Sequence, residues 1–131
     1  MGGMGKTRRI ILVAGAIMAM GICAPTISSG DQPQLAQVVY ITLTKACGCL
    51  LSVCQAGDIV VGNVFNGARQ SLLKRIDYST DKETAKVYIK KYRVTQAPAL
   101  LFLDAGGNLL WMKAGDLNEQ EIADKLSQLG G

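Results

Sequence analysis

Histidine is absent from all 131 residues of the sequence. This absence excludes catalytic triads with a histidine base, and zinc or copper sites with histidine ligands. Paired carboxylates for general acid–base catalysis are also missing, because the aspartates are scattered over the ends of predicted elements, where helix caps and solvated faces are the usual roles. These aspartates are Asp58, Asp77, Asp81, Asp104 and Asp116. No internal repeat or low-complexity tract occurs either.

The part of the chain expected to fold has almost no net charge. The formal net charge is +4, but Lys6, Arg8 and Arg9 supply three of the positive charges near the start. Residues 31–131 carry eleven Lys and Arg against ten Asp and Glu. A nucleic-acid-binding surface requires a basic excess on the folded part of the protein. Nucleic acid is therefore not an expected partner.

Residues 1–30 have the pattern of a targeting segment. The basic stretch GKTRR precedes an apolar run from Ile10 to Ala24, and the breaker-rich PTISSGDQPQ follows. Extended to Ile27, the run approaches the roughly 20 residues that span a bilayer. We therefore expect either a signal peptide, with cleavage before Asp31, or a membrane anchor formed by residues 10–27. In both cases the remainder is exported to the periplasm or another extracytoplasmic compartment.

Two finer features of this segment bear on export. The stretch TRRIIL, Thr7 to Leu12, is similar to a twin-arginine export signal. Lipidation of Cys23 is not expected, because Ile22 stands where a lipoprotein signal requires a small residue. Cysteine pairs persist in oxidising compartments outside the cytoplasm. The remaining three cysteines are therefore candidates for redox chemistry.

Hydrophobic periodicity predicts one α/β domain in residues 31–131, with the order β-α-β-α-β-β-α. The predicted strands are Leu35–Thr44, Ser71–Tyr78, Ala99–Leu103 and Leu109–Lys113. The first predicted helix covers residues 50–68, and the second is capped by Ser79 or Thr80 and ends near Tyr92. The third runs from Asn118, its cap, to Leu129. The first two strands should be parallel, joined by a right-handed crossover. The last two should form an antiparallel hairpin around AGGN, Ala105 to Asn108.

The stretch KACGCLLSVC, Lys45 to Cys54, contains three of the four cysteines. Cys47 should lie at the start of a helix, where unpaired backbone N–H groups and the positive charge of Lys45 stabilise a thiolate. Such a sulfur attacks disulfides or binds soft metals. Gly48 lets the backbone bend, so that a strained Cys47–Cys49 disulfide can form.

The role of Cys54 depends on where the helix begins. If the helix is continuous from Cys47, the two residues lie about 10 Å apart, and Cys54 is a buried small hydrophobe. If the helix begins only after Cys49, the three thiolates can converge on copper(I), zinc or mercury, or Cys54 can resolve a disulfide made by Cys49. Both alternatives remain open from the sequence.

The sequence resembles the thioredoxin-like superfamily over most of residues 35–130. The resemblance rests on a strand that runs into cysteines, on QAP (Gln96 to Pro98) before the strand ALLFLD, on the GGN hairpin and on Gly115 before the last helix. It implies a three-layer sandwich in which Pro98 follows a cis peptide bond and faces the cysteines. It also implies that the backbone of Ala97 pairs with a substrate.

The sequence departs from the thioredoxin pattern at two places. One residue separates Cys47 from Cys49, where thioredoxins have two between their cysteines. Ile41 occupies the position of the buried acid that thioredoxins carry on the central strand. Proton transfer to the second sulfur would therefore use water or Lys45.

Three functional hypotheses follow. The first is a cell-envelope thiol–disulfide oxidoreductase without a cofactor, in which Cys47 and Cys49 react and Ala97 and Pro98 dock a protein thiol or disulfide partner. The second is a soft-metal-binding protein that holds copper(I) or zinc with Cys47, Cys49 and Cys54. The third is a non-catalytic subunit of a membrane complex, because fold does not fix function.

Overall fold

The computed structural model describes residues 32–131, and the predicted targeting segment therefore lies outside the described residues. All seven predicted elements are present in the predicted order, with a 3₁₀ helix, Gly67–Leu72, before the second strand. The elements are β1 Gln37–Thr42, α1 Gly48–Val64, β2 Leu73–Asp77, α2 Lys82–Tyr92, β3 Ala99–Leu103, β4 Leu109–Ala114 and α3 Glu119–Leu129. Within residues 32–131, no helix has the length and apolar character needed to cross a membrane.

The four strands form one sheet in the order β2-β1-β3-β4. β1 pairs in parallel with β2, so that Thr42 lies opposite Asp77 where both strands end. β1 pairs antiparallel with β3, and β3 pairs antiparallel with β4. The parallel pair and the terminal hairpin were both predicted from the sequence, and both predictions are confirmed. β2 and β4 are the two edges of the sheet.

The sheet is covered on both faces, which makes three layers. Tyr40, Leu100 and Phe102 point to the α1 and α3 side, where α1 and α3 contribute Val61, Phe65, Ile122 and Leu126. Val39, Ile41 and Leu101 point to the α2 side, where Ala85 is buried. Alternate residues of a strand face opposite sides of a sheet. The continuous apolar run of β1 therefore fills both halves of the core, as expected of a central strand.

The helix caps decide where α2 and α3 begin. The Asn118 side chain accepts a hydrogen bond from the Glu121 amide at 3.0 Å, which confirms Asn118 as the cap of α3. The predicted cap of α2 is wrong, because the Asp81 carboxylate accepts from the Thr84 amide at 3.2 Å and α2 begins at Lys82. Ser79 and Thr80 belong instead to the turn that follows β2, where the Thr80 amide donates to the Asp77 carbonyl.

The first and last described segments lie side by side. The Leu35 amide donates to the Leu129 carbonyl at 3.0 Å, and the Ala36 amide donates to the Leu103 carbonyl at 2.9 Å. The chain therefore enters β1 beside the last turn of α3. β1 then carries it away from this end and towards the cysteine-containing loop.

Candidate functional site

Cys47 and Cys49 lie at the exposed start of α1. Cys47 is the N-cap, with extended backbone angles of φ −62° and ψ 155°, and Cys49 is in the first turn. Both side chains are exposed and both are free thiols. Between them, Gly48 has nothing within 4 Å of the position that a Cβ would occupy. The two cysteines that the sequence paired thus lie in the same exposed turn at the start of α1.

No side chain in the first turn of α1 accepts a hydrogen bond from the free backbone N–H groups of the helix start. This turn contains no acidic residue, and no side chain caps it. The first backbone N–H groups of a helix lack partners inside the helix. An anionic group at this position is favoured by those donors and by the helix dipole.

Hydrogen bonds from the end of β2 hold the loop that leads to Cys47. The Asp77 carboxylate accepts from the backbone amide of Thr44 at 3.3 Å and from its hydroxyl. The Ser79 hydroxyl oxygen accepts from the Thr44 amide at 3.2 Å and from the Lys45 amide at 2.9 Å. We call Asp77, Ser79 and the two loop residues that they hold the loop anchor. Residues 44–49 are all exposed, so polar contacts rather than apolar packing fix this loop.

The charge of Asp77 is favoured by the loop anchor. Partial removal of its carboxylate from water acts to raise its pKa, but hydrogen bonds from Thr44 and Ser79 outweigh this effect. The pKa of Asp77 is therefore lower than its ordinary value of 3.8. The ionised form of Asp77 is the form that these hydrogen bonds favour.

Cys54 is separated from the other two cysteines. α1 is continuous from Gly48, and the side chain of Cys54 is 0% exposed. This is the first of the two arrangements considered from the sequence, in which Cys54 fills the core. Within residues 32–131, no group of three or more Cys, His, Asp or Glu side chains is placed to hold a metal ion. The proposed trio of Cys47, Cys49 and Cys54 is therefore not assembled.

Pro98 packs against the middle of α1. The Ala97–Pro98 peptide bond is cis, and Pro98 is fully buried. A Cβ on Gly57 would lie 2.9 Å from the Pro98 Cγ, so the proline ring sits directly against this glycine. Gly57 is nine residues beyond Gly48, which corresponds to about 14 Å along the helix axis. The residue of α1 that meets Pro98 is thus Gly57, and the cysteine pair lies about two and a half turns away. The implied placement of Pro98 opposite the cysteines is therefore wrong.

A half-buried carboxylate joins α1 to β1 and β2. Asp58 accepts hydrogen bonds from the Tyr40 hydroxyl at 2.7 Å and the Thr42 hydroxyl at 3.1 Å, and it pairs with Arg75 at 3.0 Å. Burial raises the pKa of Tyr40 well above its ordinary value of 10.0, and the adjacent carboxylate adds to the increase. Tyr40 therefore stays protonated and donates. It also reaches the Cys54 carbonyl at 3.4 Å.

The solvated role predicted for Asp58 is therefore wrong. The signal for its true role was its spacing: Asp58 stands four residues after Cys54 and three before Val61, on the stripe of α1 that faces the sheet. Polar groups on β1, at Tyr40 and Thr42, provide its partners. The helical spacing of Asp58, taken together with the polar groups on β1, indicates this hydrogen-bonded cluster.

Solved structures with similar backbones identify the architecture. The reduced C-terminal domain of DsbD from Neisseria meningitidis superimposes with a TM-score of 0.54 at 13% identity, covering 75% of this chain and 84% of that domain. Thioredoxin O2 from Arabidopsis thaliana, in its oxidised state, gives 0.51 at 22% identity, covering 73% and 76%. The chain has a thioredoxin-like fold. No protein-family model matches the sequence, and no curated protein matches it by sequence.

A shallow apolar groove lies beside the loop anchor of this thioredoxin-like domain. Its volume is about 250 Å³, and most of its walls come from Ile41, Leu43, Tyr78, Ile89, Val94 and Ala97. Thr95 and Gln96 complete its rim. Ala97 is half-buried and forms part of the wall, so the residue implied to dock a substrate borders open space. A larger hollow of about 460 Å³ lies at the other end of α1, against the start of α3.

Proposed function

We propose that this chain is a thiol–disulfide oxidoreductase of the cell envelope, with Cys47 as the attacking sulfur and Cys49 as its partner. One observation carries the proposal. Two free, exposed thiols, separated by one residue, lie at the start of α1, after the central strand of a thioredoxin-like fold. Both sulfurs are open to a protein substrate, and neither takes part in the core.

The reaction is a two-electron exchange. The Cys47 thiolate attacks one sulfur of a substrate disulfide, a mixed disulfide forms, and the other substrate sulfur leaves as a thiolate. The Cys49 thiolate then attacks the Cys47 sulfur, which releases the second substrate thiolate and forms the Cys47–Cys49 disulfide. The enzyme pair is oxidised and the substrate disulfide is reduced, with protons taken from solvent. The same steps in reverse oxidise a substrate dithiol.

Ala97 is the docking residue in this proposal. It borders the groove. Pro98 is instead fully buried against Gly57, where it fixes the position of the preceding residues 95–97. An extended substrate segment that lies along residues 95–97 gains backbone hydrogen bonds from the exposed edge. Substrate contact is thus assigned to Ala97, and Pro98 acts as a positioning residue.

The envelope location rests on the sequence of residues 1–30. Their basic start and apolar run are typical of export or membrane anchoring. A Cys47–Cys49 disulfide would persist in an oxidising compartment and be reduced in the cytoplasm. Alkylation of intact cells with a membrane-impermeant maleimide tests the location, and protection of Cys47 until the cells are lysed would contradict it.

Peptide-resolved alkylation of the full chain tests the redox pair. Across glutathione buffers of increasing oxidation, Cys47 and Cys49 should lose reactivity together, with a mass decrease of two hydrogens, while Cys54 stays unreactive until the protein unfolds. Cys47→Ser should abolish the exchange with a protein disulfide, and Cys49→Ser should trap a mixed disulfide. The matched control is Cys54→Ala, which leaves both reactive sulfurs in place.

The other hypotheses predict different results. Stoichiometric copper or zinc in native mass spectra, lost in Cys54→Ala, would support metal binding by the three cysteines. Exchange that is unchanged in Cys47→Ser would contradict the proposed reaction and leave a non-catalytic subunit as the better account.

A further inference from the structure

Charge is separated across the sheet although the domain is almost neutral. Residues 74–93, which form β2 and α2, contain seven Lys and Arg against three Asp and Glu, a surplus of four positive charges. Residues 104–129, which include β4 and α3, contain five Asp and Glu against two Lys, a surplus of three negative charges. β2 and β4 are opposite edges of the sheet. The positive surplus is therefore carried by β2 and α2, and the negative surplus by β4 and α3.

Part of the apolar groove is formed by the basic segment 74–93, which contributes Tyr78 and Ile89 to its walls. Tyr78, which follows β2, forms one wall, and the Lys82 ammonium lies 5.6 Å from the centre of its ring. Arg93 is exposed immediately before Val94 of the wall, and the Lys45 backbone is held beside Tyr78 through the Ser79 hydroxyl. The ammonium of Lys82 thus stands beside an apolar wall of the groove.

Carboxylates are also present near the groove, but none forms its wall. The Asp77 carboxylate accepts from Thr44 and Ser79, and the Asp81 carboxylate accepts from the Thr84 amide. Their charges reduce the local positive potential without supplying a partner for Lys82. The described residues contain no ion pair of Lys82 within 4.0 Å, so its ammonium is available to an incoming carboxylate.

The size of the groove indicates what it can hold. Its volume of about 250 Å³ is below the range of about 300–1,000 Å³ that small-molecule sites occupy. One bulky apolar side chain is a better match than a cofactor. Leu43 of the wall is four residues from Cys47, a distance of at most about 14 Å along the chain. An apolar residue within about four positions of a substrate cysteine could therefore enter the groove during attack.

We propose that the groove selects substrate segments that carry a bulky apolar residue close to the reacting cysteine and acidic residues around it. The apolar side chain is buried between Leu43, Tyr78 and Val94, and a neighbouring carboxylate of the substrate pairs with Lys82. The acidic residues of β4 and α3 repel the same segment and so disfavour its approach from their side. This inference names the substrate class of the proposed oxidoreductase and rests on that function.

Designed peptides test the selection. Each peptide contains one cysteine joined as a mixed disulfide to 2-nitro-5-thiobenzoate, with a leucine three positions away and either aspartates or lysines around it. Cys47 attacks the peptide sulfur, a Cys47–peptide disulfide forms, and the coloured thiolate leaves with the electron pair of the broken bond. The aspartate peptide should react about tenfold faster than the lysine peptide at low salt. The difference should shrink several-fold in 0.5 M salt, and replacing the leucine by serine should slow the aspartate peptide.

Variants at Lys82, Lys125 and Thr95 test the groove directly. Lys82→Glu should remove most of the preference for aspartate, whereas Lys125→Glu makes the same charge change on α3 and should leave it unchanged. Thr95→Trp places an indole on the groove rim and should remove the preference for leucine over serine. Equal rates for all peptides at low salt, or equal effects of Lys82→Glu and Lys125→Glu, would overturn the inference.

Two further measurements distinguish the peptide selectivity of the groove from the redox activity of the cysteines. Uncharged 2-hydroxyethyl disulfide should oxidise Cys47 whether or not the groove selects peptides, so a lack of this reaction contradicts the function alone. Binding of fluorescent peptides with serine in place of cysteine measures the groove independently of redox chemistry. The aspartate–leucine peptide should bind more tightly than the lysine–leucine peptide, and equal affinities would again overturn the inference.

Discussion

The ring of Pro98 rests against Gly57 so closely that its Cγ lies 2.9 Å from the site of an added Cβ. The Tyr40 hydroxyl is 3.0 Å from the same point. Glycine at position 57 therefore allows α1 to approach the sheet and the segment 95–98. The close approach fixes the distance between the helix that carries the cysteines and the edge that is proposed to dock substrates.

Gly57→Ala should destabilise the domain. The added methyl group meets Pro98 and Tyr40, both fully buried, so the helix must shift at a cost of about 1–3 kcal/mol. Gly62→Ala is the matched control, because nothing lies within 4 Å of its Cβ position. That change should stabilise the helix by about 0.5–1 kcal/mol. Urea unfolding of both variants measures the difference, and equal midpoints would contradict the tight contact.

Tyr40→Phe should cost about 1–2 kcal/mol, because the half-buried Asp58 carboxylate loses its 2.7 Å donor while the ring volume is retained. Because Thr42 and Arg75 still bind Asp58, the loss of folding free energy should be smaller than for a buried carboxylate left without any partner. The control is Tyr88→Phe, because the Tyr88 hydroxyl accepts a hydrogen bond from the exposed Lys74. Its effect should lie within about 0.5 kcal/mol. A larger loss in the control than in Tyr40→Phe would refute the role of the Asp58 cluster.

Acid should release the loop anchor. The pKa of Asp77 is lower in the folded protein than its ordinary value of 3.8, so the folded state binds this proton less tightly than the unfolded chain. The contribution of Asp77 is thus fully present above that ordinary value and is lost as the pH falls through the lower, folded-state pKa. It should be on the order of 1 kcal/mol or less, because the site is open to solvent.

Asp77→Asn provides the measurement for this dependence. At pH 7 the amides of Thr44 and Lys45 should exchange faster with solvent, and the stability of the variant should change less than that of the parent as the pH is lowered below 4. Asp124→Asn, on the exposed face of α3, should leave these amides unchanged. Unaltered exchange in Asp77→Asn would show that something other than the anchor holds the loop.

Cys54→Ala should lower stability by about 1 kcal/mol without altering the exchange rates of Cys47. The reason is that Cys54 is fully buried in the core, whereas the reactive pair is exposed. Stopped-flow exchange and urea unfolding check the two halves of this prediction. A slower second step of exchange in Cys54→Ala would mean that Cys54 resolves the mixed disulfide.

The sequence predicted the fold because each element was locally consistent. The five apolar residues of β3, Ala99–Leu103, were placed without error between a proline and a glycine-rich turn. Asn118 was identified as a cap because a short polar side chain preceded an acidic first turn. Such signals act within a few residues of one another and need no knowledge of the tertiary structure.

The relationships that involve distant segments were not predictable in the same way. Whether α1 began before or after Cys49 decided the burial of Cys54, and the local pattern allowed both. The contact of Pro98 with Gly57 depends on how far α1 slides along the sheet, which no local propensity encodes. The cap of α2 was misplaced by one or two residues, because Ser79 binds the loop at Lys45 rather than its own helix.

The hydrogen bond between Leu35 and Leu129 places the entry and the exit of the described chain at one pole of the domain. β1 crosses from there to the opposite pole in six residues, about 20 Å, and the two free sulfurs stand beyond its far end. A fluorescent protein, an affinity resin or a surface coupled at residue 32 or residue 131 would therefore leave the sulfur-bearing pole unobstructed. Joining residue 131 to residue 32 with a short linker and opening the chain at the exposed turn near Gly106 should likewise yield a circular permutant with the same reactive end.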